Sequence, residues 1–256
     1  MISELRVRLS ELKKIYPASG YIFQMWQYAL DNIDKSPEEI HGGNIDAIPY
    51  MPIKPEDFGC SLTPDSRILD IGCLGGYGLF DIAQRRAQSG LCIPRMTGID
   101  IDPKSIEIAN KVFQGRAWPP DAPSFIADLK TGNAEKLEFP DASFDLVIAR
   151  LVLPYVDVKK SLGEMSRVLK PGGLLLVQLH GFTYYLNQLK RGFSYYIRPF
   201  ISGCLFGVTG YQPKNKWFKE TALSVDKLES VCNEIGLSKL WKNDNNQRPL
   251  MLLRKH

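Results

Sequence analysis

The residues best suited to chemistry stand in one nine-residue run, Asp70-Ile71-Gly72-Cys73-Leu74-Gly75-Gly76-Tyr77-Gly78. Glycines let a backbone approach a ligand closely, and a helix opening behind them presents unpaired N–H donors. A dinucleotide-binding turn would need G-x-G-x-x-G. Counted from Gly76 and Gly78, the third glycine falls on Asp81; counted from Gly72, the second falls on Leu74. Spacing therefore excludes a nicotinamide site. The run also reads as a plain tight turn, but that reading does not account for Asp70 together with a second acid, Asp100, closing the next apolar run. His180 is the third candidate. An imidazole ordinarily titrates close to neutrality and suits a general base, although a structural histidine on a pocket rim fits the position as well.

These residues need elements to hold them. Arg67–Ile71 reads as a first strand, followed by the glycine turn and a helix to about Gln88. A second strand, RMTGID, ends at Asp100, and Asp102-Pro103 opens a helix with an N-cap acid and proline at the first helical position. A third strand is expected within residues 124–132. Phe144–Ala149 reads as strand four, and a helix from Val158 to about Leu169 stops at Lys170-Pro171-Gly172-Gly173. Leu174–Leu179 reads as strand five, ending against His180. Ser224 can cap a helix that ends at Gly236, ahead of two short strands, Leu237–Trp241 and Leu250–Arg254. Short apolar runs alternating with helical periodicity predict a doubly wound, mostly parallel seven-stranded α/β sheet with helices on both faces. Ahead of it, Leu5, Leu9 and Leu12, then Met25, Trp26, Ala29 and Leu30, repeat at helical steps. The organisation expected is one domain: a helical cap and connector over 1–65, a core over 66–180, an insertion over 181–221 and a closing helix with strands over 222–256.

Four segments in this order resemble class I S-adenosylmethionine-dependent methyltransferases. Asp70, Gly72 and Gly76 match the first motif of that family, with Leu74 where its middle glycine usually stands. Thr97-Gly98-Ile99-Asp100 resembles the strand whose closing acid accepts the ribose hydroxyls. Gly132-Asn133-Ala134-Glu135 resembles G-D-A-E, with Asn133 in place of the aspartate. Ser166–Gly173 resembles the R-V-L-K-P-G-G turn. The resemblance covers about residues 66–179, with a weaker match over 224–254, and implies S-adenosyl-L-methionine as cofactor. It assigns the cofactor to Asp70, Gly72, Cys73, Leu74, Gly76, Asp100, Ile101, Asn133, Ala134 and Arg150, and it leaves His180 as the candidate catalytic base at the acceptor side. Arg150 fits the cofactor's carboxylate, a polar acceptor or plain solvent. His41 reads as a loop residue.

Composition narrows the class further. The chain has 256 residues, 44% of them apolar and 23% charged, with a net charge of +4. No apolar run reaches the ~20 residues of a membrane span, and the N-terminus lacks a signal-peptide core, so a cytoplasmic enzyme is expected. Five cysteines without a C-x-x-C pair read as free thiols, with no metal site. The charge is uneven: residues 181–220 hold six basic side chains, one acid (Glu220) and 11 of the 27 aromatics. In the family, such inserts together with N-terminal helices form a lid over the acceptor. This one suits a small-molecule acceptor that is anionic or lipophilic, and equally a peripheral membrane contact. Basic–aromatic interleaving also permits stacking on RNA. The segment after strand four, Ala149–Tyr155, departs from the N-P-P-Y type of base methylators, so nucleic acid is the weaker expectation. Methylation of a small molecule at oxygen, nitrogen or carbon leads. An RNA methyltransferase and a catalytically silent methyltransferase-like partner protein stay open as alternatives.

Overall fold

The computed structural model describes residues 2–35, 50–114, 127–189, 193–210, 212–213, 218–243 and 245–256. His41, Lys190, Arg191, Lys214, Lys216 and Trp217 fall outside these residues. The chain divides into two compact units, Met1–Asn133 and Ala134–His256. Seven strands hydrogen-bond in the order β3-β2-β1-β4-β5-β7-β6, the sheet expected from the alternating pattern.

The first unit contains α1 (Ile2–Ile15), α2 (Gly20–Asn32), β1 (Arg67–Ile71), α3 (Tyr77–Gln88), β2 (Arg95–Asp100), α4 (Pro103–Phe113) and β3 (Ala127–Thr131). Its three strands are parallel, with Asp70 opposite Gly98 and Asp100 opposite Thr131. Strands β1 and β2 are apolar and almost wholly buried, as strands covered on both faces must be. β3 is the polar edge strand and buries only Leu129. α1 turns Leu5, Leu9 and Leu12 inward, and α2 buries Ile22, Phe23, Trp26, Ala29 and Leu30. α4 starts as its cap predicts: the Asp102 side chain accepts from the backbone N–H groups of Lys104 and Ser105.

The second unit contains β4 (Phe144–Arg150), α5 (Val158–Val168), β5 (Leu169–Gln178), α6 (Phe182–Leu189), α7 (Phe193–Thr209), α8 (Val225–Glu234), β6 (Leu237–Lys242) and β7 (Leu250–Lys255). β4 and β5 are parallel, while β7 pairs antiparallel with both β5 and β6. Several strand ends differ from expectation by one residue, and the largest departure lies between α5 and β5. α5 ends one residue early, and β5 begins at Leu169 instead of Leu174. Leu169 already pairs with Phe144; the chain then bulges through Pro171-Gly172-Gly173 and resumes regular pairing at Leu174. Gly172 takes φ +76°, and a Cβ on Gly173 would stand 2.9 Å from the Lys170 carbonyl. The turn is thus a bulge inside the strand. The interval between β5 and Ser224, expected only as an insertion, carries two helices, α6 and α7, and Gly210 closes α7 at φ +69° with its N–H on the Phe206 carbonyl.

α8 opens as read: the Ser224 hydroxyl accepts from the Lys227 N–H. Replacing Ser224 with alanine should lower the unfolding free energy by about 1 kcal/mol, measured as a shifted urea midpoint at unchanged slope.

Candidate active site

The first unit builds a polar site around the loop leaving β1. Gly72 and Cys73 both donate to the Ile99 carbonyl, at 2.8 and 2.9 Å. Leu74 N–H donates to Asp100 Oδ2 at 2.8 Å, and Asp102 N–H donates to Asp100 Oδ1 at 2.9 Å. The carboxylate closing β2 therefore ties down the loop leaving β1. A carboxylate has about four acceptor sites, and two backbone donors leave capacity for a vicinal diol. Asp100 is half-buried. Beside it the Ile101 side chain is 69% exposed, an apolar surface of the kind that a purine face covers.

Leu74 has φ +50°. The residue standing at the family's middle glycine adopts the left-handed backbone that a glycine would adopt freely, at a cost of about 1–2 kcal/mol. The loop keeps a glycine-like course without the glycine.

The other glycines have packing reasons. A Cβ on Gly75 would lie 2.4 Å from Ile22 Cγ2, one on Gly76 2.7 Å from the Phe113 ring, and one on Gly78 2.4 Å from the Tyr50 ring. Trp26, fully buried, donates from Nε1 to the Gly75 carbonyl at 2.9 Å. Gly76 caps α3 with φ +78°. Asp70 is fully buried and accepts from the Tyr50 hydroxyl at 2.7 Å, while Tyr50 N–H donates to Asp81. Cys73 is buried; burial, then the charges of Asp70 and Asp100, push its thiol well above the ordinary range, so it stays neutral. Asp70 and the Cys73 side chain thus belong to the wall of the loop, and what the loop presents is backbone. Asn133, after β3, is exposed. Tyr50 and Trp26 were not expected at this loop. Trp26 showed only a helical core period, and Tyr50 stands alone in a proline-rich connector.

The second unit builds another polar cluster. Ala134 is buried. Arg150 ends β4 and donates from Nε to Oε1 of the buried Gln178 at 2.8 Å. The adjoining Leu151 has φ +59° and donates to the Gln178 carbonyl. His180, 9% exposed, follows β5, where Leu179 N–H donates to Pro249 O and Gly181 N–H to Gln247 O. Any side chain at 181 would meet the Asn246 carbonyl at 2.2 Å. The Tyr184 ring stacks on the imidazole at 4.2 Å, Tyr185 approaches edge-on, and the Arg248 guanidinium lies 5.6 Å from the Tyr184 ring centre.

His180 Nδ1 lies 3.5 Å from Glu220 Oε1, which also accepts from the Tyr185 hydroxyl. Burial pushes the Glu220 carboxyl up, but His180, Tyr185 and Tyr155 together outweigh it and hold the group below the usual glutamate range. Burial, then the charge of Glu220, raises the Tyr185 phenol and keeps it a donor. Glu220 and Tyr185 were not expected as site residues. The available signal was charge: Glu220 is the single acid of a basic segment, and burial requires such a group to be partnered.

Known proteins match this arrangement. Residues 69–177 match the family model described as a methyltransferase domain. A demethylmenaquinone methyltransferase of Symbiobacterium thermophilum is 30% identical over 68% of this chain and 68% of its own length. The chain belongs to the class I S-adenosylmethionine-dependent methyltransferases. The methyltransferase of the same description from Lysinibacillus sphaericus is 27% identical over 86% of this chain and 88% of its own length. A S-adenosylmethionine-dependent methyltransferase structure from Methanosarcina mazei superposes with a TM-score of 0.57 over 79% of this chain and 98% of its own. At 21% identity that likeness speaks to the fold alone. The methyl donor of this methyltransferase is S-adenosyl-L-methionine, and Asp100 with the glycine-like loop is a donor and acceptor set that fits its ribose.

Trp26→Phe removes the donor to the Gly75 carbonyl and should cost about 1–3 kcal/mol in urea unfolding. The Glu220 carboxyl, lowered in the fold, contributes stability above the unfolded carboxylate pKa, and this stability is lost as pH falls through the lower folded value. Glu220→Gln should therefore cost about 1–2 kcal/mol at pH ~7, and its deficit should shrink in unfolding curves recorded near pH ~3.5.

Proposed function

We propose that this methyltransferase acts on a small, lipophilic, hydroxylated acceptor, with His180 as general base. The observation that carries the reading is the buried His180–Glu220 pair under a stacked Tyr184. An imidazole with Glu220 on its Nδ1 side is set to hold its proton there and to present Nε2 as the acceptor of a substrate proton. The tyrosine rings suit an apolar, planar molecule. Both demethylmenaquinone methyltransferases named above act, by their names, on a lipophilic quinone.

In this reading the cofactor supplies a sulfonium-activated methyl group and the protein supplies position and proton transfer. Asp100 would hold the ribose hydroxyls beside the left-handed Leu74 loop, and Ile101 and Asn133, with Ala134 by resemblance to the family, would hold the adenine. Gly72 and Gly76 keep the backbone low, while Asp70 and Cys73 shape the loop from behind. Arg150, steadied by Gln178, sets a positive charge for the cofactor's carboxylate. Proton removal from an acceptor hydroxyl by His180 would raise electron density at that oxygen or at the ring carbon beside it, which would accept the methyl group as its bond to sulfur breaks and S-adenosylhomocysteine leaves; at carbon, the ring proton would then be lost.

Two substitutions separate binding from chemistry. Asp100→Asn keeps an acceptor for Leu74 but loses charge, and should weaken S-adenosylhomocysteine binding about tenfold by calorimetry. His180→Ala should leave that affinity intact and lower the transfer rate by about 10²–10⁴, followed as S-adenosylhomocysteine formation on a reduced, short-tailed demethylmenaquinone analogue. Turnover at the wild-type rate in His180→Ala removes the base. Turnover confined to polar acceptors in a parallel panel removes the lipophilic substrate.

A further inference from the structure

Helix α7 is apolar on opposite faces. Its inner face, Pro199, Ser202, Gly203 and Phe206, is buried. That face is locked to the segment ahead of α8: Ala222 N–H donates to the Pro199 carbonyl at 3.1 Å, and the Ser202 and Thr221 hydroxyls bond at 2.8 Å. A Cβ on Gly203 would fall 2.2 Å from the Ala222 carbonyl. Half a turn away stand Ile201, Cys204, Leu205 and Val208, all exposed, with Val208 at 86%. A helix of a soluble protein ordinarily turns charge to solvent on its outer face. This one turns four apolar side chains outward in one stripe, at i, i+3, i+4 and i+7, with no polar residue among them.

Charge says what covers the stripe. Residues 181–219 include six lysines and arginines and not one aspartate or glutamate. Arg198 on α7 and Lys219 are exposed. At the C-terminal end of the helix the Nζ atoms of Lys227 and Lys159 lie 3.8 and 3.9 Å from the Cβ position of Gly210. An apolar stripe flanked by cations fits an anionic lipid surface, where apolar side chains enter the headgroup boundary and the cations meet phosphates. A second copy fits poorly, since facing two such stripes brings the flanking cations of both together. The helix has 17 residues, and no helix among those described is long and apolar enough to cross a membrane. The bonds of Pro199 and Ser202 to Ala222 and Thr221 also hold α7 in place, so it can lie on a bilayer and cannot enter one end-on.

We propose that the outer face of α7, centred on Leu205 and Val208, docks this methyltransferase on an anionic phospholipid surface. Docking is independent of the acceptor proposed above, because it requires no substrate. It would give a lipophilic acceptor a short path from the bilayer.

The test is co-sedimentation of the full chain with vesicles, without methyl donor or acceptor. Binding is expected to vesicles containing about one third phosphatidylglycerol, weaker binding to phosphatidylcholine alone, and release at high salt. Val208→Glu and Leu205→Glu should each weaken binding about tenfold or more, while Val208→Trp should strengthen it. Unchanged S-adenosylhomocysteine affinity would show that the variants remain folded. Absence of vesicle binding, equal binding by the glutamate variants, or a solution dimer that the same substitutions dissolve would each overturn the proposal. None of these results bears on whether His180 is the base.

Discussion

The Asp100 carboxylate is the joint on which the candidate site of the first unit depends. It closes β2, accepts the Leu74 N–H from the loop that closes β1, and accepts the Asp102 N–H that turns the chain into α4. Three elements thereby take their relative positions from one side chain. The parallel pairing of β1 with β2 sets the distance, since Asp70 stands opposite Gly98 and the loop reaches Asp100 two residues beyond. Gly98 lets this pairing stay close, since a Cβ there would stand 2.6 Å from Leu129 Cδ2 and 2.8 Å from Cys73 Sγ and make those side chains shift. Trp26 then closes the loop from the other side, at the Gly75 carbonyl. A carboxylate fixed by two charge-assisted bonds pays little further ordering when a diol arrives, which is what preorganised recognition requires.

A different balance governs the second unit. Glu220 is buried, and taking a carboxylate out of water costs several kcal/mol unless donors replace the lost solvent. The Tyr185 hydroxyl, His180 and Tyr155 supply that replacement. The consequence runs back along the chain: the acid sets where α6 docks, through Tyr185, and how the residue after β5 is turned, through His180. Tyr184 stacks on the imidazole, and the Arg248 guanidinium lies over the Tyr184 ring. The side chains proposed to face the acceptor are thus the same ones that fix the local fold.

The elements of the core were legible because their signals are local. Arg67–Ile71 and Arg95–Asp100 are short apolar runs with the expected bounds, and Asp102, Ser224 and Gly236 mark helix ends by mechanisms confined to a turn or less. β3 was less legible because its sequence, ADLKT, is that of a half-wet edge strand. The bulge at Pro171–Gly173 was read as a turn because Pro and Gly report a break in pairing without reporting that pairing resumes. α6 is hard to read because it has only eight residues, and α7 because it is apolar on both faces and so shows no amphipathic period, which leaves Gly210, its left-handed cap, as a local mark. The loop residues Asp70, Gly72 and Leu74 were legible from the motif. Tyr50, Trp26, Tyr185 and Glu220 were not, since each acts through a contact twenty or more residues away in the chain.

Backbone strain gives a further reading of the same loops. Among the described residues three non-glycines have positive φ: Leu74, Ala142 and Leu151. Two of the three are leucines, and each leads away from the carboxyl end of a parallel strand, Leu74 after β1 and Leu151 after β4. A leucine in the left-handed region costs about 1–2 kcal/mol that glycine, asparagine or aspartate would largely avoid. Each is nevertheless held by a named bond, Leu74 N–H to Asp100 and Leu151 N–H to the Gln178 carbonyl. Strain that the surroundings hold in place collects where a protein needs backbone in an uncommon course. Ligands of open α/β sheets bind beyond the carboxyl ends of their strands, and both strained leucines stand at such ends. The apolar side chain, not the turn, is therefore what distinguishes these positions from glycine: the chain accepts the strain and gains a leucine at the mouth of each strand.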